Sequence, residues 1–344
     1  MSKRQKLSFF HFEGLPDEII LKIFSLLDIK GVFQCGKVSK RLRAISNDQS
    51  LWSKLNLFER EVPYGFIEKA VQNGCEYLNL RCSSVNGSKK SNMPWKLKYL
   101  DISQNVPEGV LQNCHSLEKL AVDNVKLMPH DIDQICQNGK TLGILSLGQS
   151  ILPPICNRTI LIQKLFTKCH QLTEVNMVRC LSSAGLRYPH VCALVDNLTP
   201  NILKLNLGSQ KCIEDDHVNT LVQRCNKITE LDLSCTPITK VSVESIIEHL
   251  NSLEKLNIDY TNIDVSTLLR LKSIKTLKVL RCFGHSGFGW DLEEDYERIK
   301  NLKLQLPHVS INEEYLNIAS PTKVSFNTYV DKILAFFDHL PTST

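Results

Sequence analysis

A short apolar template recurs along most of this chain. It has apolar residues at positions 1, 4 and 6 of a six-residue segment, as in LKYLDI (97–102), ITELDL (228–233) and LEKLNI (253–258). Further copies begin at residues 75, 117, 142, 172, 202, 277 and 306. Because side chains alternate along a strand, positions 4 and 6 face the same side. Each copy therefore predicts a short strand with one apolar face.

The segments between these copies have a helical pattern. EDDHVNTLVQRC (214–225) places Val218, Leu221 and Val222 on one side of a helix, and VSVESIIEHL (241–250) shows the same spacing. The period of about 20 to 29 residues is that of leucine-rich repeats. The expected fold class is α/β: a curved solenoid of about ten repeats, with parallel strands on the concave face and helices on the convex face.

The first fifty residues follow a different pattern. In LPDEIILKIFSLL (15–27) the apolar side chains fill an arc of about 220°, roughly twice the stripe that a core-facing helix needs. Two short helices are expected around 31–38 and 39–46, which makes a three-helix module near the lower size limit for an independent core. Phe24 and Leu27 are the candidates for packing on the other two helices. Either the repeats or a partner protein would cover the remaining apolar surface.

The composition mainly excludes classes of function and location. With 41 Lys and Arg against 36 Asp and Glu, the net charge of +5 gives no case for nucleic-acid binding. There is no run of 18 apolar residues and no signal-peptide pattern, so we expect a soluble intracellular protein and no membrane partner. The thirteen cysteines are interpreted as reduced thiols. Several of them recur in register with the repeats and suit buried corners, namely Cys114, Cys169, Cys180, Cys225 and Cys235.

No cofactor, metal site or catalytic residue is expected. The sequence has no C-x-x-C pair, and FGHSGFGW (283–290) lacks the spacing of phosphate-binding loops and is interpreted as a flexible loop. Two other classes of repeat protein fit the sequence less well. A ligase with its own Cys nucleophile would need a further domain, and residues 312–344 contain no Cys. An inhibitory repeat scaffold would favour an acidic concave face, whereas the strands here are mixed in charge.

The N-terminal module resembles an F-box. The residues that carry the resemblance are Leu15, Pro16, Asp17, Glu18, Ile20, Ile23, Phe24, Leu27, Val38, Ser39, Trp52 and Leu55. The sequence departs from the commonest form at Leu42, where many members have Trp, and at 29–31, where Leu-Pro is frequent. The resemblance implies binding to the small adaptor that joins this family to a cullin. The implied adaptor-binding residues are Leu15, Pro16, Ile19, Ile20, Ile23 and Leu26.

The order of F-box and repeats is similar to that of F-box/leucine-rich-repeat proteins, and LKSIKTLKVLRCFG, LQLPHVSIN and LNIASPTKV resemble the S-phase kinase-associated type. This implies a substrate receptor of a cullin-based ubiquitin ligase. It further implies phosphorylated cell-cycle kinase inhibitors as substrates, a small cyclin-kinase accessory subunit, and a location in nucleus and cytoplasm. The alternative is a repeat scaffold or inhibitor that acts independently of ubiquitin ligation.

The expected division is a basic segment (1–11), the F-box (12–57), the repeats (58–311) and a tail (312–344). Substrate binding is expected at outward strand positions, namely Tyr99, Glu174, Lys204, Glu230, Lys255, Asp259, Arg281 and Phe283. The last four carry more weight through the resemblance of the final repeats. The recurring Asn or Asp at position 5 is interpreted as repeat consensus. In the tail, TYVDKILAFFDHL (328–340) predicts a helix that caps the last repeat or folds over the concave face. A solvent-exposed helix that binds a partner is the alternative.

Overall fold

The computed structural model describes residues 14–87, 93–105, 109–151, 157–180, 187–284 and 292–312. The predicted tail helix at 328–340, the segment 1–11 and most of the loop at 283–290 lie outside these ranges. No helix in the described part of the chain combines the length and apolar character that crossing a membrane requires.

The helices are α1 (Asp17–Phe24), α2 (Ile29–Cys35), α3 (Lys40–Ser46), α4 (Gln49–Trp52), α5 (Tyr64–Gln72), α6 (Pro129–Gln137), α7 (Arg158–Lys168), α8 (Tyr188–Asn197), α9 (Asp215–Arg224), α10 (Lys240–His249), α11 (Val265–Leu269) and α12 (Leu292–Gln305). The strands are β1 (Lys54–Asn56), β2 (Glu61–Pro63), β3 (Tyr77–Asn79), β4 (Ser84–Asn86), β5 (Tyr99–Asp101), β6 (Lys119–Ala121), β7 (Ile144–Ser146), β8 (Glu174–Asn176), β9 (Lys204–Asn206), β10 (Glu230–Asp232), β11 (Lys255–Asn257), β12 (Val279–Arg281) and β13 (Ser310–Ile311).

Eleven of these strands form one parallel sheet in chain order, from β1 through β3 and β5 to β13. A second parallel sheet contains only β2 and β4. The leucine at position 4 of one repeat pairs with its counterpart in the next, as Leu231 does with Leu205 and Leu256. The α/β solenoid expected from the sequence is therefore confirmed, and β1 adds one strand ahead of the ten predicted copies.

The strand ladder continues through a recurrent left-handed residue at position 8. Gln104, Asn124, Gln149 and Ser209 have φ between 54° and 69°, a region that non-glycine residues seldom adopt. Each of their amides donates to a position-7 carbonyl of the next repeat, at 2.6–2.8 Å. These hydrogen bonds hold the chain in this conformation and keep consecutive repeats in register.

One hydrophobic core runs through all the repeats, between the strands and the helices. Leu205, Leu231 and Leu256 at position 4 are buried within it, as are Cys114 and Cys225. Cys169 and Cys180 are buried as the sequence predicts, but Cys235 is only half-buried because it occupies the left-handed position 8. None of the described cysteines is part of a disulfide.

The last repeat departs from the sequence template. The template aligns Val309 with Leu280, whereas the structure pairs Ile311 with Leu280. The amide of Leu306 still donates to the carbonyl oxygen of Leu302. The helical geometry of α12 thus extends to Leu306, the residue at which the template places the start of the last copy. The chain consequently joins the sheet two residues later than predicted.

Candidate functional site

The first helix divides its apolar residues between two surfaces. Ile20 and Phe24 are buried against Val32 and Ile45 in the core of the N-terminal module. Ile19 and Leu26 are 45% and 82% exposed, and Ile23 between them is half-buried. Ile19 and Ile23 lie one helical turn apart on the same side of α1, and Leu26 follows in the turn after the helix. We call Ile19, Ile23 and Leu26 the outer stripe.

This division corrects the expectation for two residues. Ile20 was expected to contact the adaptor, but it is completely buried because it lies about 100° around the helix from Ile19. Leu27 was expected to pack inside the module, yet it is exposed, whereas Phe24 is buried as predicted. Leu15 is half-buried and Pro16 exposed, so both remain accessible candidates.

One exposed apolar residue of the module is not among the adaptor contacts expected from the sequence. Val38 lies between α2 and α3 and is 76% exposed. It belongs to the motif that resembles an F-box, but only the structure shows that its side chain lies outside the core. Val38 is therefore a further candidate for contact with a partner.

The start of α1 is fixed by the third helix. Arg41 of α3 donates from Nε to Asp17 Oδ1 at 2.8 Å and from Nη2 to the carbonyl oxygen of Leu15. Asp17 in the first helical turn also suits the positive end of the helix dipole. These contacts hold Leu15 and Pro16 at one end of the outer stripe.

The module and the repeats share a continuous packed joint. Trp52 belongs to the core of the repeats, and its indole Nε1 donates to the carbonyl oxygen of Ser46 in α3 at 2.6 Å. Lys69 of α5 lies over the rings of both Phe33 and Trp52, at 4.8 and 5.6 Å from their centroids. Since the joint combines apolar, polar and cation–π contacts, it fixes the outer stripe relative to the repeats.

Charged side chains form a row across the middle of the strand face that points away from the helices. Lys204 Nζ lies 3.4 Å from Glu174 Oε1 and 3.8 Å from Glu230 Oε1, and Lys255 Nζ lies 3.2 Å from Glu230 Oε1. We call Glu174, Lys204, Glu230 and Lys255 the charge row. All four occupy position 3 of consecutive repeats, so the parallel register itself brings opposite charges together.

Two of the predicted substrate contacts are too buried to offer a surface. Glu230 is only 7% exposed and bridges two lysines. Asp259 is completely buried, because its carboxylate accepts from Arg281 Nε at 3.2 Å and from the Phe283 amide at 2.7 Å. Glu230 and Asp259 therefore position neighbouring side chains and are not substrate contacts, in contrast to the expectation from the sequence. Tyr99, Glu174, Lys204, Lys255, Arg281 and Phe283 are half-buried and stay predictions as substrate contacts.

Aromatic residues lie at both ends of this face. Near the module, Tyr77 stacks on Tyr99 with centroids 6.4 Å apart, and Lys54 Nζ lies 5.4 Å from the centre of the Tyr77 ring. At the other end Phe283 meets Tyr260 edge to face at 5.9 Å. Tyr77 was missed in the sequence, although its place at position 3 of CEYLNL could have indicated it.

The polar residues at position 5 have a structural role, in agreement with the sequence interpretation. The side-chain oxygens of Asn206, Asp232 and Asn257 accept from the amide two residues ahead, at 2.9–3.1 Å. Asn257 Nδ2 also donates to Asp232 Oδ2 at 2.8 Å. These bonds close the turn that ends each strand.

One cysteine and one histidine meet on the helical side, but not as a nucleophile with its base. Cys192 Sγ lies 3.6 Å from His217 Nε2. His217 Nδ1 accepts from the Glu214 amide, so the neutral ring carries its proton on Nε2 and has no lone pair there for the thiol proton. Burial also lowers the pKa of His217, which favours this neutral form.

Comparison with protein families agrees with both parts of this architecture. Residues 12–57 match the family described as F-box-like, and residues 65–332 match the family described as SKP2 LRR domain. The F-box protein dre-1 of Caenorhabditis elegans is 40% identical over 55 residues, which cover 15% of this chain and 6% of that protein. An internalin (inlF) from Listeria monocytogenes superposes with a TM-score of 0.43 at 12% identity, over 70% of this chain and 68% of the internalin.

The repeat family alone covers well over half of the chain. Its match begins at residue 65, shortly after the F-box match ends at residue 57. An F-box followed by leucine-rich repeats is thus shown both by the sequence families and by the strand and helix order. The chain belongs to the F-box/leucine-rich-repeat proteins whose repeats are of the SKP2 type.

Proposed function

We propose that this protein is the substrate receptor of a cullin-based ubiquitin ligase. In this proposal the F-box binds the adaptor and, through it, the cullin, and the repeats bind a protein substrate. The observation that carries the proposal is the outer stripe: Ile19 and Leu26 are exposed apolar residues on a module whose own core is already filled by Ile20 and Phe24. Exposed apolar clusters of this kind are typical of protein–protein interfaces.

The joint between the module and the repeats supports the same function. A receptor accelerates ubiquitin transfer by holding a substrate lysine near the charged conjugating enzyme, which raises its effective concentration. This effect is lost if the two binding surfaces move independently. Trp52 and Lys69 connect the module to the repeats, so a substrate on the strand face stays at a fixed distance from the adaptor. The receptor itself supplies no catalytic group.

The substrate surface in this proposal is the strand face. Its accessible members are Tyr99, Glu174, Lys204, Lys255, Arg281 and Phe283. Mixed charges and aromatic rings on one face favour a protein segment that offers both, since complementary charges give specificity and aromatic rings give contact area. From the family resemblance we further infer phosphorylated cell-cycle regulators as substrates, an accessory cyclin-kinase subunit, and residence in the nucleus and cytoplasm.

A charge placed in the outer stripe tests the adaptor interface. Leu26→Asp and Ile19→Asp would each bury a carboxylate without a partner in the complex and should abolish recovery of adaptor and cullin from cell extracts. Leu304→Asp is the matched control, because Leu304 is 74% exposed on α12, far along the chain from the module. Its recovery of cullin should equal that of the wild type.

Circular dichroism should show the same melting temperature for all these variants. If the folded Leu26→Asp and Ile19→Asp proteins still recover cullin at the wild-type level, the receptor function is wrong. If the wild-type protein instead recovers other partners but no cullin from cell extracts, the result favours a repeat scaffold that acts independently of ubiquitin.

A further inference from the structure

Two cysteines from neighbouring repeats meet on the helical side of the solenoid. Cys136 lies in the last turn of α6, and Cys169 is the C-cap residue of α7. Cys136 Sγ lies 4.0 Å from the carbonyl oxygen of Lys164 in α7, and its side chain is hydrogen-bonded to that of Cys169. The backbones are also close here, since a Cβ atom on Gly139 would lie 2.3 Å from the carbonyl oxygen of Lys168. The two thiols are therefore held together by the packing of one repeat on the next.

The two thiols differ in access and in charge. Cys136 is half-buried, whereas Cys169 is completely buried. The hydrogen bond from Cys169 and the nearby Lys164 and Lys168 hold the pKa of Cys136 below its ordinary value, although burial and Asp133 oppose them. The same bond together with burial raises the pKa of Cys169. Cys136 is thus the thiol that reaches solvent and forms the thiolate more readily.

We propose that Cys136 and Cys169 form a reversible disulfide in the presence of hydrogen peroxide. The Cys136 thiolate attacks one peroxide oxygen, the O–O bond breaks, and the hydroxide that leaves takes up a proton to give water. Cys136 is then a sulfenic acid. The Cys169 sulfur attacks the Cys136 sulfur, the S–O bond breaks, and the hydroxyl leaves with the Cys169 proton as a second water. Two thiols are oxidised and one peroxide is reduced.

Two other repeats have a buried cysteine at the position that corresponds to Cys169, but without a thiol partner among the described residues. Cys114 and Cys225 are buried before their strands as Cys169 is, and burial raises their pKa values to about 12 and about 11. No second thiol is hydrogen-bonded to either of them in the described part of the chain. They serve as internal references, because their environment resembles that of Cys169.

Mass spectrometry of the full chain tests the pair. The folded protein is treated with a small molar excess of hydrogen peroxide, its remaining thiols are blocked with N-ethylmaleimide, and it is digested without reduction. We expect a cross-linked peptide pair containing Cys136 and Cys169, lighter than the two free peptides by two hydrogen atoms. Dithiothreitol should restore both thiols. Cys114 and Cys225 should remain reduced under the same conditions.

Two variants separate the roles of the thiols. Cys169→Ser should leave Cys136 as a sulfenic acid that dimedone traps. Cys136→Ser should leave Cys169 reduced, because the buried Cys169 has no direct access to peroxide and no sulfenic acid remains for it to attack. Cys225→Ser is the matched control and should form the cross-link as the wild type does. The proposal is overturned if the folded wild-type protein oxidises Cys136 to sulfinic acid with no cross-link, or if Cys136 stays reduced while other half-buried thiols, such as Cys35 and Cys212, react.

Discussion

Ile19 and Ile20 are neighbours in the chain and lie on different surfaces of the same helix. Ile19 is exposed at the outer stripe, whereas Ile20 is completely buried with Phe24, Val32 and Ile45. Their identical chemistry shows that hydrophobicity alone does not assign a residue to the core or to an interface. A rotation of about 100° along the helix makes the difference.

Truncation of these two residues should have unequal effects on stability. Ile20→Ala leaves a cavity in a small core and should lower the free energy of unfolding of the module by about 2–4 kcal/mol. Ile19→Ala removes a half-exposed side chain and should change it by about 0.5 kcal/mol or less. Hydrogen exchange of the α1 and α3 amides measures both. Equal loss of protection in the two variants would contradict this assignment of faces.

The Trp52 hydrogen bond should contribute to the stability of the joint. Trp52→Phe keeps an aromatic ring but leaves the Ser46 carbonyl oxygen without its donor, which should cost about 1–3 kcal/mol. The expected result is faster amide exchange in α3, α4 and α5, with α9 and α10 unchanged. If exchange rises equally in all these helices, the bond does not belong to a local joint between module and repeats.

Removal of one cation from the charge row should affect only the substrate side. Lys255→Ala takes away a counter-ion of Glu230 and changes the strand face, so we expect normal recovery of cullin and a loss of substrate-side partners. Lys278→Ala is the matched control, since Lys278 pairs with Glu254 and is more exposed than Lys255. Quantitative mass spectrometry of co-purified proteins compares the two. Loss of cullin with Lys255→Ala would contradict the separation of the two surfaces.

The buried carboxyl of Asp123 should make stability depend on pH. Burial and the nearby Asp101 raise the pKa of Asp123 to about 6 from an ordinary value of 3.8, against hydrogen bonds from Ser146 Oγ and the Gly148 amide at 2.6 Å. Between these two values the folded state holds a proton that the unfolded state releases. The contribution of Asp123 to the free energy of unfolding therefore falls as pH rises through this window, by an amount on the order of 2–3 kcal/mol.

Asp123→Asn tests this dependence, because the amide keeps an acceptor oxygen and cannot ionise. The stability of the variant relative to the wild type should rise as pH increases from about 4 to about 6 and then level off. Chemical unfolding at a series of pH values gives the difference directly. A constant difference across the whole range would show that Asp123 does not carry a raised pKa.

Much of the fold follows from short-range patterns in the sequence. Apolar residues at positions 1, 4 and 6 predict the strands, and the intervening helical spacing predicts α9 and α10 within one residue at each end. These signals suffice because each repeat contacts mainly its neighbours, so local pattern and global fold coincide. The structural role of Asn and Asp at position 5 follows likewise, since their hydrogen bonds join residues two apart. The family resemblance supplied the adaptor surface.

Only the tertiary structure decided which of these residues are accessible. The template placed the last strand two residues early because it contains no information on the end of α12. The outward pattern selected Glu230 and Asp259, but cation partners and backbone amides from adjacent repeats bury both carboxylates. The contact between Cys136 and Cys169 likewise depends on how α6 packs against α7. The sequence by itself thus determined the repeating unit, whose contacts are local, whereas burial and side-chain pairing depend on distances between units that no single repeat specifies.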